Sequence, residues 1–229
     1  MTTAVVPLKS LDRAKSRLVP VLGEAQRRNL ALTMADDVIS RLVKSGLFHR
    51  IILLAGDENC SDLAHCSGLE SWRDQDLGIG ADDTGPDRLR RVVASGLSRL
   101  AAQGNDSVFI IAGDLPTLQL ESLTRIIMGS SASVRLCQAA RDGGTNALYL
   151  EAPMLIPVQF GSRSADRHRN EAIRCGTSFE SMPCPEISRD IDLPQDLDWL
   201  VHAPYACRSR ELAAKLSRHG PVGLSGKAE

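Results

Sequence analysis

The sequence predicts an α/β fold, a mixed and mostly parallel sheet with helices on both faces. Two observations predict it. The first half alternates short aliphatic runs with longer stretches whose apolar residues recur at helical spacing. Such alternation sets neighbouring strands parallel and packs the helices on the sheet. The second half carries shorter strand-like runs broken by turns, which makes the sheet mixed. At 229 residues the chain is long enough for one large domain or two small ones. No Pro- or Ser-rich linker divides it, and no internal repeat is visible. One domain over residues 1–217 is expected, followed by a disordered tail over 218–229.

In order, residues 3–7 read as a short buried strand ending at Pro7. Glu24 to Lys44 reads as a helix, because Leu30, Met34, Val38 and Leu42 fall on one stripe, and Gly46 closes it. Ile51 to Ala55 is a second buried strand, followed by a helix or turn through Leu63. Residues 69–72 offer a third, short strand, and a polar loop rich in Asp and Gly spans 74–86. Arg88 to Leu100 is helical. Ser107 to Ala112 is the clearest strand; it ends at Gly113-Asp114, before a helix from Leu118 to Met128. Val134 to Ala139 and Ala147 to Leu150 are strands joined by the turn Arg141 to Asn146. Ser164 to Arg174 is helical, and residues 178–181 and 186–191 are strand-like. Asp196 to Val201 and Arg208 to Leu216 complete the helices.

Composition narrows the function classes. Aromatics are 3%, so Leu, Ile, Val and Ala must build the core. The stacking platforms that single-stranded nucleic acid needs are scarce. A net charge of −1 leaves no global basic field for DNA or a membrane surface. Of 27 basic residues only five are lysines, which suits a GC-rich bacterial genome and singles out Lys9 and Lys15. Cysteines at 60, 66, 137, 175, 184 and 207 form no C-x-x-C pair, so reduced, mostly buried thiols are expected and a zinc site is not. A basic segment follows Val6 directly, without an apolar signal core, and no run is long enough to span a membrane. A cytoplasmic location is expected, without nucleic-acid or membrane partners; a homodimer is compatible with the sequence but not demanded by it.

Four constellations carry chemistry. The cations Lys9, Arg13, Lys15 and Arg17 crowd the segment after the first strand. A polyvalent anion such as a triphosphate would offset their repulsion, and ligands bind at the carboxyl ends of strands in open α/β sheets. A solvated basic loop reads equally from the spacing. Asp114 leaves the end of the clearest strand, as a divalent-metal ligand or as a turn residue. Asp190 and Asp192 flank Ile191, and strand alternation would put both carboxylates on one face. Asp192-Leu-Pro194-Gln195 also reads as a helix start with Asp192 as its cap, which leaves Asp190 unexplained. Together the three carboxylates suit Mg²⁺ bridging phosphates. Finally, Asp142-Gly-Gly-Thr145-Asn146 and Phe160-Gly161-Ser-Arg-Ser164 expose backbone N–H groups of the kind that bind anions. A hairpin turn and a Ser N-cap explain the same residues. Arg163, Arg167 and His168 add positive charge nearby, and His168 reads equally as a surface helix residue.

Taken together these segments resemble the guanylyltransferases of deazaflavin coenzyme (F-420) biosynthesis. That family contains 2-phospho-L-lactate, phosphoenolpyruvate and 3-phosphoglycerate guanylyltransferases. The matching residues are Pro7-Leu-Lys9 with Arg13-Ala-Lys15-Ser-Arg17-Leu, and then Gly113-Asp114-Leu-Pro116. Asp142-Gly-Gly-Thr-Asn146, Phe160-Gly161-Ser-x-Ser164 and Asp190-Ile-Asp192-x-Pro-x-Asp196-Leu complete the set. The resemblance implies a Rossmann-like nucleotidyltransferase fold of the GT-A type. It implies Asp114, Asp190 and Asp192 as Mg²⁺ ligands, and Lys9, Arg13, Lys15 and Arg17 as catalytic residues on the triphosphate of GTP. It implies Gly85 and Asp87 near the nucleotide. It also implies that Thr145, Gly161 and Ser164 hold a phosphorylated three-carbon acid, which receives GMP as pyrophosphate leaves. One departure is Gly85-Pro86-Asp87, where relatives usually carry Gly-Leu-Asn; Asp replaces an amide donor with a negative charge. The rivals are a nucleotidyltransferase of molybdopterin or sugar-phosphate type and a non-catalytic nucleotide-binding regulator. The first usually has a glycine-rich first loop, and this loop has no glycine. The three aspartates count against the second.

Overall fold

The structure is a computed structural model that describes residues 1–11, 14–80, 83, 85 and 87–218. Arg13, Pro86 and the tail from His219 lie outside the described residues. Among the described residues, β1 (Thr2–Leu8), β2 (Arg50–Ala55), β3 (Glu70–Arg73) and β4 (Ser107–Ile111) supply the parallel part of the sheet. β5 (Val134–Gln138), β6 (Thr145–Leu150) and β7 (Phe179–Ser181) complete it. The order is β3-β2-β1-β4-β6-β5-β7, with β6 antiparallel to both neighbours and β7 parallel to β5. The mixed, mostly parallel sheet expected from the alternation is therefore present.

Period-two alternation sorts the strand residues between two cores. Ala4, Val6, Ile51, Leu53, Phe109 and Ile111 face one side. There they meet α1 (Glu24–Ser45), α2 (Glu58–Cys66) and α4 (Leu120–Met128) through residues such as Val38, Leu42, Ala64 and Ile126. Val5, Ile52, Leu54, Val108 and Ile110 face the other side. There they meet α3 (Arg88–Ala102) and α5 (Ser164–Arg174) through residues such as Val93, Leu97 and Ala172. Each fully buried aliphatic side chain contributes roughly 1.5–3 kcal/mol, so the two layers dominate the stability. A third cluster packs α6 (Pro194–His202) and α7 (Arg208–Arg218) against α1, through Leu30, Met34, Leu197, Leu200 and Ala213.

Strand order decides where a ligand can sit. The chain leaves β1 towards β2 on one side, and returns from β3 to β4 on the other side of β1. The crevice beyond the carboxyl ends of β1 and β4 is thus a topological switch point, the usual ligand position in open α/β sheets. The two loops that diverge there are the basic segment after Leu8 and Gly113-Asp114.

Two local expectations change. Residues 186–191 are not a strand. Pro185 has no N–H for a ladder, and it opens a single 3₁₀ turn over Pro185–Ile187. Beyond that turn Ile191 donates its N–H to the Asp114 carbonyl at 3.4 Å. The 74–86 loop begins with a 3₁₀ turn over Asp74–Leu77, because Leu77 is drawn into the core beside Trp72. All six cysteines are free; Cys60, Cys137 and Cys184 are buried, whereas Cys66 and Cys175 are exposed and Cys207 is half-buried, so burial holds for half of them.

Candidate active site

The basic segment is held by Gly56 and Asp57, at the turn between β2 and α2. The Gly56 N–H donates to the Leu8 carbonyl at 2.9 Å. A Cβ at residue 56 would fall 2.4 Å from the Ser10 nitrogen, so only glycine allows this approach. Asp57 caps α2 by accepting the Cys60 N–H at 3.0 Å. It also accepts the Leu11 N–H at 2.6 Å and the Ser10 hydroxyl at 3.0 Å. Burial alone would raise its pKa, but the N–H groups of Leu11 and Cys60 outweigh burial and hold the carboxyl below its usual range. One carboxylate therefore fixes both a helix start and the loop that carries the cations.

The loop delivers Lys15 inward. Lys15 adopts a left-handed conformation, φ 51°, and its side chain is only 8% exposed. Its Nζ donates to Asp114 Oδ2 at 2.7 Å and to Asp192 Oδ1 at 2.8 Å. Burial works to lower its pKa, but Asp114 and Asp192 more than compensate and raise it. Arg17 is exposed and approaches Asp192 at 3.7 Å, while Lys9 is exposed on the wall of the same cleft. This cleft measures about 380 Å³ and runs from Pro7 past Lys15 to Gly113, Asp114 and Asp192.

Asp114, Asp190 and Asp192 offer carboxylate oxygens that all lie within 4.8 Å of one another. Burial, with Asp114 and Asp192 alongside, pushes the Asp190 carboxyl up to about 6 against the pull of Arg141. Burial also works to raise Asp192, but Lys15 outweighs it and holds that carboxyl below its usual range. Such crowding of like charge asks for a cation. Asp192 is not a helix cap. The N-cap of α6 is Leu193, and its N–H donates to Asp196 Oδ2 at 2.8 Å. The Asp192 N–H donates to the same oxygen at 3.1 Å. Asp196, in the first turn, thus does the capping and leaves the Asp192 side chain to face Lys15. Alternation survives without a strand: Ile191 is fully buried beneath, while Asp190 and Asp192 turn to the site.

The two glycine-bearing turns are bonded to each other. Asp142 accepts the Arg163 N–H on its carbonyl at 2.9 Å, and Ala165 donates to the Gly143 carbonyl at 3.1 Å. Gly161 has φ +101°, a conformation that glycine supplies without strain. Thr145 Oγ1 lies 2.8 Å from Ser164 Oγ. The N-cap of α5 is Arg163, so Ser164 is spent on Thr145 and not on capping. The Ala112 N–H donates to the Asn146 carbonyl at 3.0 Å and extends the β4–β6 register, which brings Thr145 beside Gly113-Asp114.

Lys9, Lys15, Arg17, Asp114 and Asp192 share the cleft, and Asp190 joins them through the carboxylate cluster. Thr145 and Ser164 meet, and Gly161 lies in the turn bonded to theirs. Arg13 lies outside the described residues. Gly85 and Asp87 are not brought to the cleft wall; Leu89 of α3 is there instead. The acidity of the preceding loop is answered locally, by Arg88 on Asp74 and Arg91 on Asp83. Arg141 went unread in the sequence. Its Nη2 donates to Asp196 Oδ2 at 2.6 Å and to the Asp190 carbonyl at 2.9 Å, which ties the glycine turn to the carboxylates. Its place at the head of the Asp142-Gly-Gly turn was the available signal. His168 is fully buried, not a surface residue.

With this geometry in view, similarity to known proteins is informative. A family model described as "Guanylyl transferase CofC like" matches residues 2–218. A phosphoenolpyruvate guanylyltransferase from Sphaerobacter thermophilus is 29% identical over 212 residues, covering 92% of this chain and 98% of that protein. A 3-phospho-D-glycerate guanylyltransferase from Phenylobacterium zucineum is 27% identical over 220 residues, covering 94% and 97%. The structure of a candidate nucleotide-diphospho-sugar transferase from Desulfovibrio desulfuricans superposes with a TM-score of 0.74 at 16% identity, covering 95% of this chain and 97% of that one. At that identity the likeness is one of fold, and it agrees with the nucleotidyltransferase architecture.

Proposed function

The chain belongs to the CofC-like guanylyl transferase family, and from that premise we propose that it transfers GMP from GTP to the phosphate of a phosphorylated three-carbon acid, releasing pyrophosphate. The observation that carries the reading is the convergence of Asp114, Asp190 and Asp192 with Lys15 at the carboxyl ends of β1 and β4. Three clustered carboxylates are hard oxygen donors and fit Mg²⁺. Asp114, Asp190 and Asp192 would hold the ion, which when bound neutralises charge on the triphosphate and the acceptor phosphate.

In this reading an acceptor phosphate oxygen attacks the α-phosphorus of GTP in line. The new O–P bond forms as the bond to the bridging oxygen of pyrophosphate breaks. The nucleophile is already anionic, so no side chain has to take its proton. Lys9, Arg13, Lys15 and Arg17 supply positive charge for the leaving pyrophosphate. Lys15 does so by exchanging a carboxylate partner for a phosphate oxygen. Thr145 and the Gly161 backbone receive the acid, with Ser164 buried behind Thr145 and bonded to it, and Gly85 and Asp87, set back from the cleft wall, would approach the nucleoside only from outside it. The relatives named for phosphoenolpyruvate and 3-phosphoglycerate, with the Arg-rich composition, favour those acids over 2-phospholactate. The activity would serve deazaflavin coenzyme biosynthesis in the cytoplasm.

The test is pyrophosphate release from GTP and Mg²⁺ with each of the three acids in turn. Release with phosphoenolpyruvate or 3-phosphoglycerate, matched by a guanylylated acid in the mass spectrum, is expected. No release with any of the three overturns the reading.

A further inference from the structure

His168 lies on α5 with no exposed surface. Its Nε2 receives the Gln159 backbone N–H at 2.8 Å. An amide N–H can only donate, so Nε2 carries no proton, and the neutral ring holds its proton on Nδ1. Nδ1 faces Thr145 Oγ1 at 3.1 Å and donates to it. Phe160 packs edge-on against the ring at a centroid distance of 5.6 Å, which holds its plane. Burial, with the Arg167 charge nearby, lowers the imidazole pKa to about 4, so the ring stays neutral at physiological pH.

The hydroxyl protons can then be assigned. Ser164 is fully buried, and a buried hydroxyl proton needs an acceptor. Thr145 Oγ1 is within reach at 2.8 Å, so Ser164 donates to it. Thr145 Oγ1 therefore accepts twice, from His168 and from Ser164. Its own proton is left for a group outside the trio. Thr145 is only half-buried, and it opens β6 beside Gly113-Asp114. With the other tautomer, Thr145 would donate to Nδ1 and Ser164 to Thr145, and no hydroxyl proton would remain.

Resting on the reading of Thr145 as a contact to the acceptor acid, we propose that His168 is a positioning residue that, with Ser164, turns the Thr145 hydroxyl proton outward to an anionic oxygen of that acid. The Gln159 N–H sets the tautomer, the tautomer sets the direction of the hydroxyl, and the hydroxyl meets a carboxylate or phosphate oxygen as a donor only. Accepting two hydrogen bonds also polarises the Thr145 O–H and strengthens it as a donor.

Two measurements test this. Nitrogen-15 NMR of histidine-labelled protein reads the tautomer of His168 directly. A proton on Nδ1 is expected, and a proton on Nε2 overturns the proposal. The second is a mutant cycle. His168→Gln keeps an acceptor for the Gln159 N–H and loses the donor to Thr145. It is expected to raise the acceptor KM about 10-fold, the loss of one oriented hydrogen bond to a charged group, with the GTP KM unchanged. His168→Asn, whose amide N–H stands near the place of Nδ1–H, is expected to recover part of that loss. In a Thr145→Val background His168→Gln is expected to add nothing. An equal loss with and without the Thr145 hydroxyl, or a GTP KM that rises in step, overturns it. Should His168→Gln fail to fold, the tautomer alone decides. A wild-type protein that guanylylates no phosphorylated acid defeats the functional reading and leaves the tautomer measurement standing. An active wild type with no coupling defeats the role of His168 alone.

Discussion

At the scale of residues, two side chains change meaning once their partners are seen. Lys15 is a non-glycine residue in left-handed conformation, a strain of roughly 1–2 kcal/mol. Its ammonium is held by two carboxylates that offset it. Asp192 could have been a helix cap from its position before Pro194. The cap contact comes from Asp196, four residues on, so Asp192 is left to Lys15 and the carboxylate cluster. Asp192→Asn separates the two roles, because Asn caps about as well as Asp. We expect the variant to fold and to lose turnover on the order of 100-fold, the upper range for disturbing a metal's surroundings, with weaker Mg²⁺ binding by titration calorimetry. Near-normal kcat together with unchanged Mg²⁺ affinity would remove Asp192 from the site. His168 was the hardest residue to read. Its helix position left burial open, and burial depends on Gln159 and Phe160 closing over it.

At the scale of elements, the strands and long helices were legible because their periods are strong. Ile51 to Ala55 and Val108 to Ala112 are apolar throughout, as strands buried on both faces must be. Residues 186–191 misled because Ile187 and Ile191 imitate a strand while Pro185 and the Asp114 carbonyl take the backbone elsewhere. The β2–α2 turn was not legible as part of a site. Gly56 and Asp57 fall between a strand and the helix or turn after it, with nothing in the sequence to set them apart, yet they hold the cationic loop. Gly56→Ala places a methyl 2.4 Å from the Ser10 nitrogen, and the backbone of the loop must shift. The expected cost is about 1–3 kcal/mol in urea unfolding, as for other overpacked sites. A GTP KM that rises more than the acceptor KM is also expected. A loss of stability with both KM values intact would show that the anchor does not govern the cations.

At the scale of the whole molecule, the site rests on the third core as much as on the sheet. Leu18, just after the cationic loop, and Ile191, between two of the carboxylates, pack in the cluster that contains Leu197, Leu200 and Ala213. The helices α6 and α7 therefore clamp both halves of the site against α1. Asp37 of α1 fixes the clamp. It accepts the Ser209 N–H at 2.8 Å, the Ser209 hydroxyl at 2.6 Å and the Arg208 N–H at 3.2 Å, which caps α7 from another helix. Asp37→Ala leaves the Ser209 N–H and hydroxyl buried without that partner. The expected loss is on the order of 1–3 kcal/mol, seen as a lower melting temperature and faster hydrogen exchange in α7. Slower turnover is expected to accompany it; full activity with a frayed α7 would mean that the clamp does not reach the aspartates.

The sequence by itself determined the α/β class, most element positions, and the order of the motifs from the basic segment to Asp190-Ile-Asp192. Those are properties of local period and residue type, written in neighbouring positions. Tertiary structure alone decided that Lys15 meets Asp114 and Asp192, which are 99 and 177 residues away along the chain. It decided that Arg141 ties the glycine turn to Asp190 and Asp196, and that His168 is dry and aimed at Thr145. Strand order sets which loops share the crevice, and packing sets which charges lose water. Neither has a period, so neither can be read along the chain before the sheet is assembled.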